Sequence, residues 1–256
     1  FTHPQATLQQ ASEAKLAHIC SKLELKPTDH VLEIGTGWGG FALYAASHYG
    51  CRVTTTTISR QQYDYARQRI RDAGLEDRVT LLLEDYRNLE GRFDKLVSIE
   101  MIEAIGHRYF DTYFRKCSEL LTPEGMMLLQ SITISDQRYR AARKSIDFIQ
   151  RYIFPGGCLP SVAALSDSIA RKTNMRIFHL EDIGPHYATT LRHWRERFFA
   201  NIGQIRQLGY QEQFIRMWEY YLSYCEGGFR RQSIGTVQVL LTKPQALRQS
   251  LAGPDY

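Results

Sequence analysis

Apolar positions follow two periods in turn along this chain, and their alternation predicts the fold. Leu8, Ala11, Leu16, Ile19 and Leu23 recur near helical spacing, predicting a helix over 6–24 that Lys26-Pro27-Thr28-Asp29 ends. The next run, Val31–Ile34, is short and unbroken like a buried strand, and leads through glycines into a helix near 39–48. Cys51–Thr57, rich in β-branched residues, predicts a second strand. Ser59 then starts a helix with Tyr63, Ala66 and Ile70 inward, closed by Asp72-Ala73-Gly74. Strands follow at Val79–Leu83 and Lys95–Ile99, a helix at 107–120, a turn at Thr122-Pro123-Glu124-Gly125 and a fifth strand at Met126–Thr133. Strands alternating with helices over 30–133 imply an α/β, doubly wound parallel sheet.

The pattern changes after that. Residues 137–231 are mostly helical and heavily aromatic, with Phe148, Tyr152, Phe154, Trp194, Trp218 and Tyr224 among the rings. Two late strands, Arg176–Ile183 and Thr236–Thr242, return to the sheet and make it seven-stranded and mixed. We expect a single domain over 1–256, with 137–231 a helical cover placed around strand six.

Composition narrows the setting. No apolar run approaches the ~20 residues that span a bilayer. The five cysteines are odd in number and lack CxxC spacing, which argues against a disulfide framework or zinc site and fits a cytoplasmic protein. Phe1-Thr2-His3-Pro4 shows neither an initiator Met nor a signal-peptide pattern, and reads as a trimmed start. The net charge of +5 is a mild bias toward anionic surfaces.

The chemistry is concentrated at Glu33-Ile34-Gly35-Thr36-Gly37-Trp38-Gly39-Gly40. Such a strand-to-helix turn exposes backbone to a nucleotide. Its spacing is not GxGxxG, and Glu33 suits an ammonium group better than a pyrophosphate. A ligand with an amino-acid end is indicated, and S-adenosylmethionine (SAM) fits. The edge of strand two offers Thr57 and Gln62 in place of the acid that holds a dinucleotide ribose, although Ser59-x-x-Gln62 is also a helix capping box. After strand three, Asp85 can accept from an adenine amino group and Tyr86 can stack on the ring.

Three further stretches are more specific: Val97-Ser98-Ile99-x-Met101-x-Glu103, Tyr152-Ile153-Phe154-Pro155-Gly156-Gly157-Cys158-Leu159-Pro160-Ser161, and Tyr187-x-Thr189-Thr190-Leu191. By these the chain resembles the cyclopropane-fatty-acyl-phospholipid synthase and mycolic acid cyclopropane synthase family, from Thr7-Leu8-Gln9 to Gln238-Val239-Leu240. The resemblance implies a Rossmann-like SAM-methyltransferase fold and a cyclopropane built on the cis double bond of a phospholipid acyl chain. It places Glu33, Gly35, Gly37, Trp38, Gly39, Thr57, Gln62, Asp85, Tyr86 and Ile99 at the cofactor. Tyr152, Phe154 and Pro155 fall in the acyl-site segment. The family binds bicarbonate as a base, and the corresponding positions here are Glu103, Tyr187, Gln130 and the backbone of Ile132. It also implies a cytoplasmic enzyme working peripherally at the inner membrane face, with oligomerisation open. Arginines at 192, 195, 197, 230 and 231 offer a basic face for that contact.

The chain departs from the pattern at four places. Gln130 stands where the family has histidine, Glu103-Ala104 where it has Glu-His, and Glu100 where it usually has glycine. The family's Tyr-Ser-Cys-x-Tyr-aromatic motif aligns upstream, with Phe1 matching its last aromatic, so a family N-terminal region is expected to be absent. These changes leave a methyl- or methylene-branched product as an alternative to the ring. A methyltransferase for another small hydrophobic acceptor, and a binding protein that has lost catalysis, are further alternatives. Nucleic acid is not expected, because Ile99–Glu103 lacks the Asn/Asp-Pro-Pro-aromatic motif of amino-methylating enzymes.

Overall fold

The computed structural model describes residues 1–248. The first half of the chain runs α1 (Leu8–Lys22), β1 (His30–Ile34), α2 (Gly40–Tyr49), β2 (Arg52–Thr57), α3 (Arg60–Asp72), β3 (Val79–Leu83), β4 (Phe93–Ile99), α4 (Ile102–Ile105), α5 (Phe110–Leu120) and β5 (Leu121–Ile134). The second half runs α6 (Asp136–Ala142), α7 (Phe148–Tyr152), α8 (Val162–Lys172), β6 (Arg176–Asp182), α9 (Gly184–Ala200), α10 (Ile202–Gln207), α11 (Glu212–Arg230) and β7 (Ile234–Thr242). The seven strands form one sheet in the order β3-β2-β1-β4-β5-β7-β6. All pairs are parallel except those of β7, which runs antiparallel to both β5 and β6.

Alternation along the central strands sends successive side chains to opposite faces. Leu32, Leu96, Met127, Leu129, Val239 and Leu241 pack on one face against α5 and α8. Val31, Val53, Val97, Leu128 and Leu240 pack on the other against α1 and α2. Thr7 caps α1 in a capping box with Gln10. The strand order reverses between β1 and β4, and in such sheets a crevice opens outside the carboxyl ends of the strands at that point.

The predicted elements are present, and four details differ. The helix expected over 107–120 starts as a 3₁₀ turn at His107–Tyr109 that runs into α5, and Gly106, at φ 78°, separates it from the short α4. The expected turn at 122–125 lies within β5, looped out of register between the pairs Phe93–Leu121 and Lys95–Met126. Helix α8, expected in the cover, belongs to the sheet's flanking layer, since Leu165 and Ile169 join the core with Phe114 and Cys117. The Ser59 capping box is half made: Ser59 Oγ accepts the Gln62 N–H, but the Gln62 side chain turns to Thr57 instead. No described helix is long and apolar enough to cross a membrane.

Candidate functional site

At the carboxyl end of β1, the Glu33 side chain is buried with 3% exposure and accepts from Thr55 Oγ1 at 2.6 Å. The N–H groups of Gly35 and Thr36 both donate to the Thr56 carbonyl, which staples the turn to β2. Gly39, at φ 82°, lies where a Cβ would come within 3.3 Å of Ala66 on α3. Gly37, at φ 53°, is different, because nothing stands within 4 Å of where its Cβ would be. One glycine permits helix packing; the other faces open ground.

Burial pushes the Glu33 carboxyl up to about 8, and among the described residues it has no cationic partner. A buried acid without a cation, beside a glycine that faces space, fits a ligand carrying an ammonium group. Glu33 and Gly37 therefore suit the amino-acid end of SAM. Thr57 Oγ1 donates to Gln62 Oε1 at 2.8 Å, which leaves the Gln62 amide N–H groups without protein partners among the described residues. Trp38 is 56% exposed at the turn, with its ring edge-on to Tyr65. Asp85 is more engaged than its sequence position suggests. Arg87 grips both its oxygens, at 2.9 and 2.7 Å, and holds the carboxyl below its usual range. The Tyr86 ring stands edge-on to buried Tyr113, with centroids 5.5 Å apart, at the margin of the core.

The second cluster forms where β4 ends beside β5. Ile99 pairs with Gln130, and the Glu100 N–H donates to the Gln130 carbonyl at 2.8 Å. Gln130, fully buried, sends its Nε2 to Glu100 Oε1 at 2.8 Å and to Tyr187 Oη at 3.1 Å. Glu103 Oε1 accepts from Ser131 Oγ at 2.9 Å and from the Ile132 N–H at 2.5 Å, while its Oε2 is buried without a partner. Burial first, and then the neighbouring Glu100 charge, push Glu103 up to about 7. Met101 ties the two clusters together, since its Cβ lies 3.3 Å from where a Cβ on Gly35 would stand. A cavity of about 510 Å³ opens here, lined by Phe1, Lys15, His18, Glu100, Tyr187 and Gln238.

The Tyr152–Ser161 segment roofs the same end of the sheet. The Cys158 N–H donates to the Glu103 carbonyl at 2.7 Å, fixing the Pro155–Cys158 loop over α4. Tyr152 and Phe154 are both more than half exposed. The Phe154 ring stands 6.1 Å from Tyr221, and Phe148 links α7 to Tyr220 on α11 at 4.6 Å. Pro155 lies in the exposed turn after Phe154.

The profile of the mycolic acid cyclopropane synthetase family matches residues 1–239. The chain belongs to that family. It is 42% identical over 236 residues to the tuberculostearic acid methyltransferase of Mycobacterium tuberculosis, covering 92% of this chain and 55% of that protein. It is 43% identical over 237 residues to the cyclopropane-fatty-acyl-phospholipid synthase of Escherichia coli, covering 92% of this chain and 59% of that protein. The chain thus spans a little over half the length of these relatives. The structure of mycolic acid cyclopropane synthase CmaA1 with SAH and CTAB superposes with a TM-score of 0.88 at 30% identity, over 95% of this chain and 88% of that one. The fold is the Rossmann-like fold of SAM-dependent methyltransferases.

Of the four positions expected at a bicarbonate ion, the structure brings Glu103 to Ile132 and Gln130 to Tyr187. The donors an added anion would need are nevertheless committed. Both N–H groups of Gln130 are engaged, and the Ile132 N–H is taken by Glu103. Glu100 adds a second carboxyl beside Glu103, so these residues do not fit a further anion. Two partners were invisible in sequence. Gln238 donates to Gln130 Oε1 at 3.0 Å, and buried Lys22 donates to Gln238 Oε1 at 2.8 Å, across 216 positions of chain. The proposed basic face is also partly consumed. Arg192 pairs with Glu196, while Arg195 and Arg230 both pair with buried Glu226.

Proposed function

We propose that this chain transfers a methyl group from SAM to the cis double bond of an unsaturated phospholipid acyl chain, closing a cyclopropane. The observation that carries this reading is the meeting of two clusters at the carboxyl ends of adjacent central strands: the Glu33–Gly37 turn and the Glu100–Glu103 carboxyls, joined through Met101. SAM supplies an electrophilic methyl group. Glu33 receives its ammonium, the bare Gly37 backbone admits it, and Thr57 with Gln62 offers neutral partners to ribose hydroxyls. The ring of Tyr221, close enough to Glu100 to feel its charge, presents a π face to positive charge developing on carbon, with Phe154 edge-on at its outer side. A carboxyl at the β4 exit receives the proton that ring closure releases.

A second cavity, of about 280 Å³, supports a phospholipid acceptor. It is lined by His107, Arg143, Lys144, Ser145, Ile146 and Gly157, on the loop that carries Phe154. Arg143 and Lys144 have no carboxylate partner among the described residues, which suits an anionic head group. Exposed Ile146, Tyr152 and Phe154 lie alongside as apolar contacts for peripheral binding at the cytoplasmic membrane face.

A branched product is the second reading. It is favoured by Gln130 at the family's histidine position and by similarity to a relative named for tuberculostearic acid. Incubation with SAM and unsaturated phospholipid vesicles, followed by mass spectrometry and NMR of the acyl chains, tests both. Ring protons support the first reading and a branch the second. Incorporation only into soluble acceptors would overturn the phospholipid assignment.

A further inference from the structure

Gln130 and Gln238 face each other in register across β5 and β7, both buried within the sheet. The direction of both amides is set from one end. Lys22 can only donate, so the Gln238 oxygen must face it. The Gln238 amide nitrogen then meets Gln130 Oε1, and the Gln130 nitrogen is left to face Glu100 and Tyr187. The chain of bonds ends by requiring an acceptor, and Glu100 Oε1 is that acceptor.

Glu100 holds this place against two penalties. Its backbone sits at φ 53°, in the left-handed region that favours glycine. Its carboxyl is also buried, which raises it, with Lys15 opposing. A residue kept for packing would need neither the charge nor the strained backbone. The carboxyl instead lines the cavity shared with Tyr187, whereas neighbouring Glu103, absent from that lining, gives Oε1 to Ile132 and Ser131 and keeps Oε2 buried.

We propose that the Glu100 carboxylate is the proton acceptor of the reaction, replacing the bicarbonate ion used elsewhere in the family, with Gln130 holding it in position. The proposal rests on the methyl-transfer reading above. Once the acyl chain has gained a methyl group, it carries a cationic carbon. A C–H bond of that methyl breaks, its electron pair closes the third C–C bond of the ring, and the proton passes to a Glu100 oxygen. The neutral carboxyl returns the proton to water after product leaves. Burial raises the Glu103 carboxyl, which favours its neutral form beside a charged Glu100.

The test compares product formation in carbonate-stripped buffer with and without added bicarbonate, alongside calorimetric SAM affinity. The wild type is expected to turn over equally in both. Glu100→Gln, of the same shape, and Glu100→Gly, which relieves the backbone, are each expected to fold, bind SAM normally and lose about 100-fold or more in turnover. Added bicarbonate or formate is expected to restore part of the Glu100→Gly rate, because the deletion leaves room for an anion. A wild-type rate that collapses on stripping and returns with bicarbonate would overturn the proposal, as would either variant retaining full turnover. A wild type that methylates no lipid under any condition would instead overturn the reaction reading, and this inference with it.

Discussion

The turn after β1 and the cluster after β4 occupy neighbouring strand ends, yet they are held together by different kinds of contact. The turn is local. Gly35 and Thr36 bond to Thr56, Glu33 to Thr55, and Thr57 to Gln62, all within two adjacent βα units. The β4 cluster is assembled from afar, since Gln130 needs Tyr187 from α9, Gln238 from β7 and, through it, Lys22 from α1. A turn of the first kind survives change elsewhere in the chain. A cluster of the second kind can be altered at one position, as at Glu100, and redirect the chemistry without disturbing the cofactor.

The largest effects should separate the two regions cleanly. Gly37→Val puts a branched side chain at φ 53° into the ground where the cofactor approaches, and should abolish measurable SAM binding while product chemistry becomes untestable. Retained affinity in equilibrium dialysis would place the cofactor elsewhere. Glu103→Gln should do the opposite. Its amide oxygen still accepts from Ile132 and Ser131, so SAM affinity should hold while turnover falls about 10-fold, less than in Glu100→Gln, through the changed hydrogen bonding beside Glu100. Tyr187→Phe should lower turnover about 10-fold, again with SAM binding intact. Near-normal rates in both variants would remove the second cluster from the reaction.

The same contrast explains what the sequence made legible. The glycine turn, its acid and the strand–helix alternation are written in contiguous residues, so the sheet and cofactor region could be derived directly. Gly106 ends α4 at φ 78°, and the tighter 3₁₀ winding of His107–Tyr109 before α5 leaves no mark in the apolar spacing. Helix α8 was assigned to the cover because its sequence neighbours are there, whereas Leu165 and Ile169 find the core under α5. Glu226 takes up two arginines that looked free for a membrane, because a buried acid on α11 reaches both α9 and its own next turn. The Lys22–Gln238–Gln130 chain gives no local sign at all. Its members are ordinary residues until the antiparallel β7 slides in beside β5.

Acidity offers a finer measure of the difference. Glu33 and Glu103 both have folded-state values, about 8 and about 7, above the ordinary 4.5. Each therefore binds a proton more tightly in the folded chain. The stability each contributes is fully present below about 4.5 and is lost as pH rises through its folded value, at up to ~1.4 kcal/mol per pH unit for each proton. The melting temperature of ligand-free protein should fall from pH 6 to 9, and more steeply than that of Glu33→Gln. Binding of SAM should also expel the Glu33 proton, because an ammonium partner restores the carboxylate. Calorimetry near neutral pH in buffers of different ionisation enthalpy should therefore show proton release in the wild type and less in Glu33→Gln.

The smallest expected effect concerns Gln62, where the cofactor region itself is ambiguous. Its backbone N–H is held by Ser59, which a substitution leaves in place, while its side chain accepts from Thr57 and has amide N–H groups to spare. If those groups reach a ribose hydroxyl, Gln62→Ala removes about one neutral hydrogen bond, worth 0.5–1.5 kcal/mol, and should weaken SAM roughly 3- to 10-fold. If the side chain only steadies Thr57 at the start of α3, melting temperature should drop and affinity should not. Measuring both on one variant decides whether the edge of β2 belongs to the ligand or to the helix beside it.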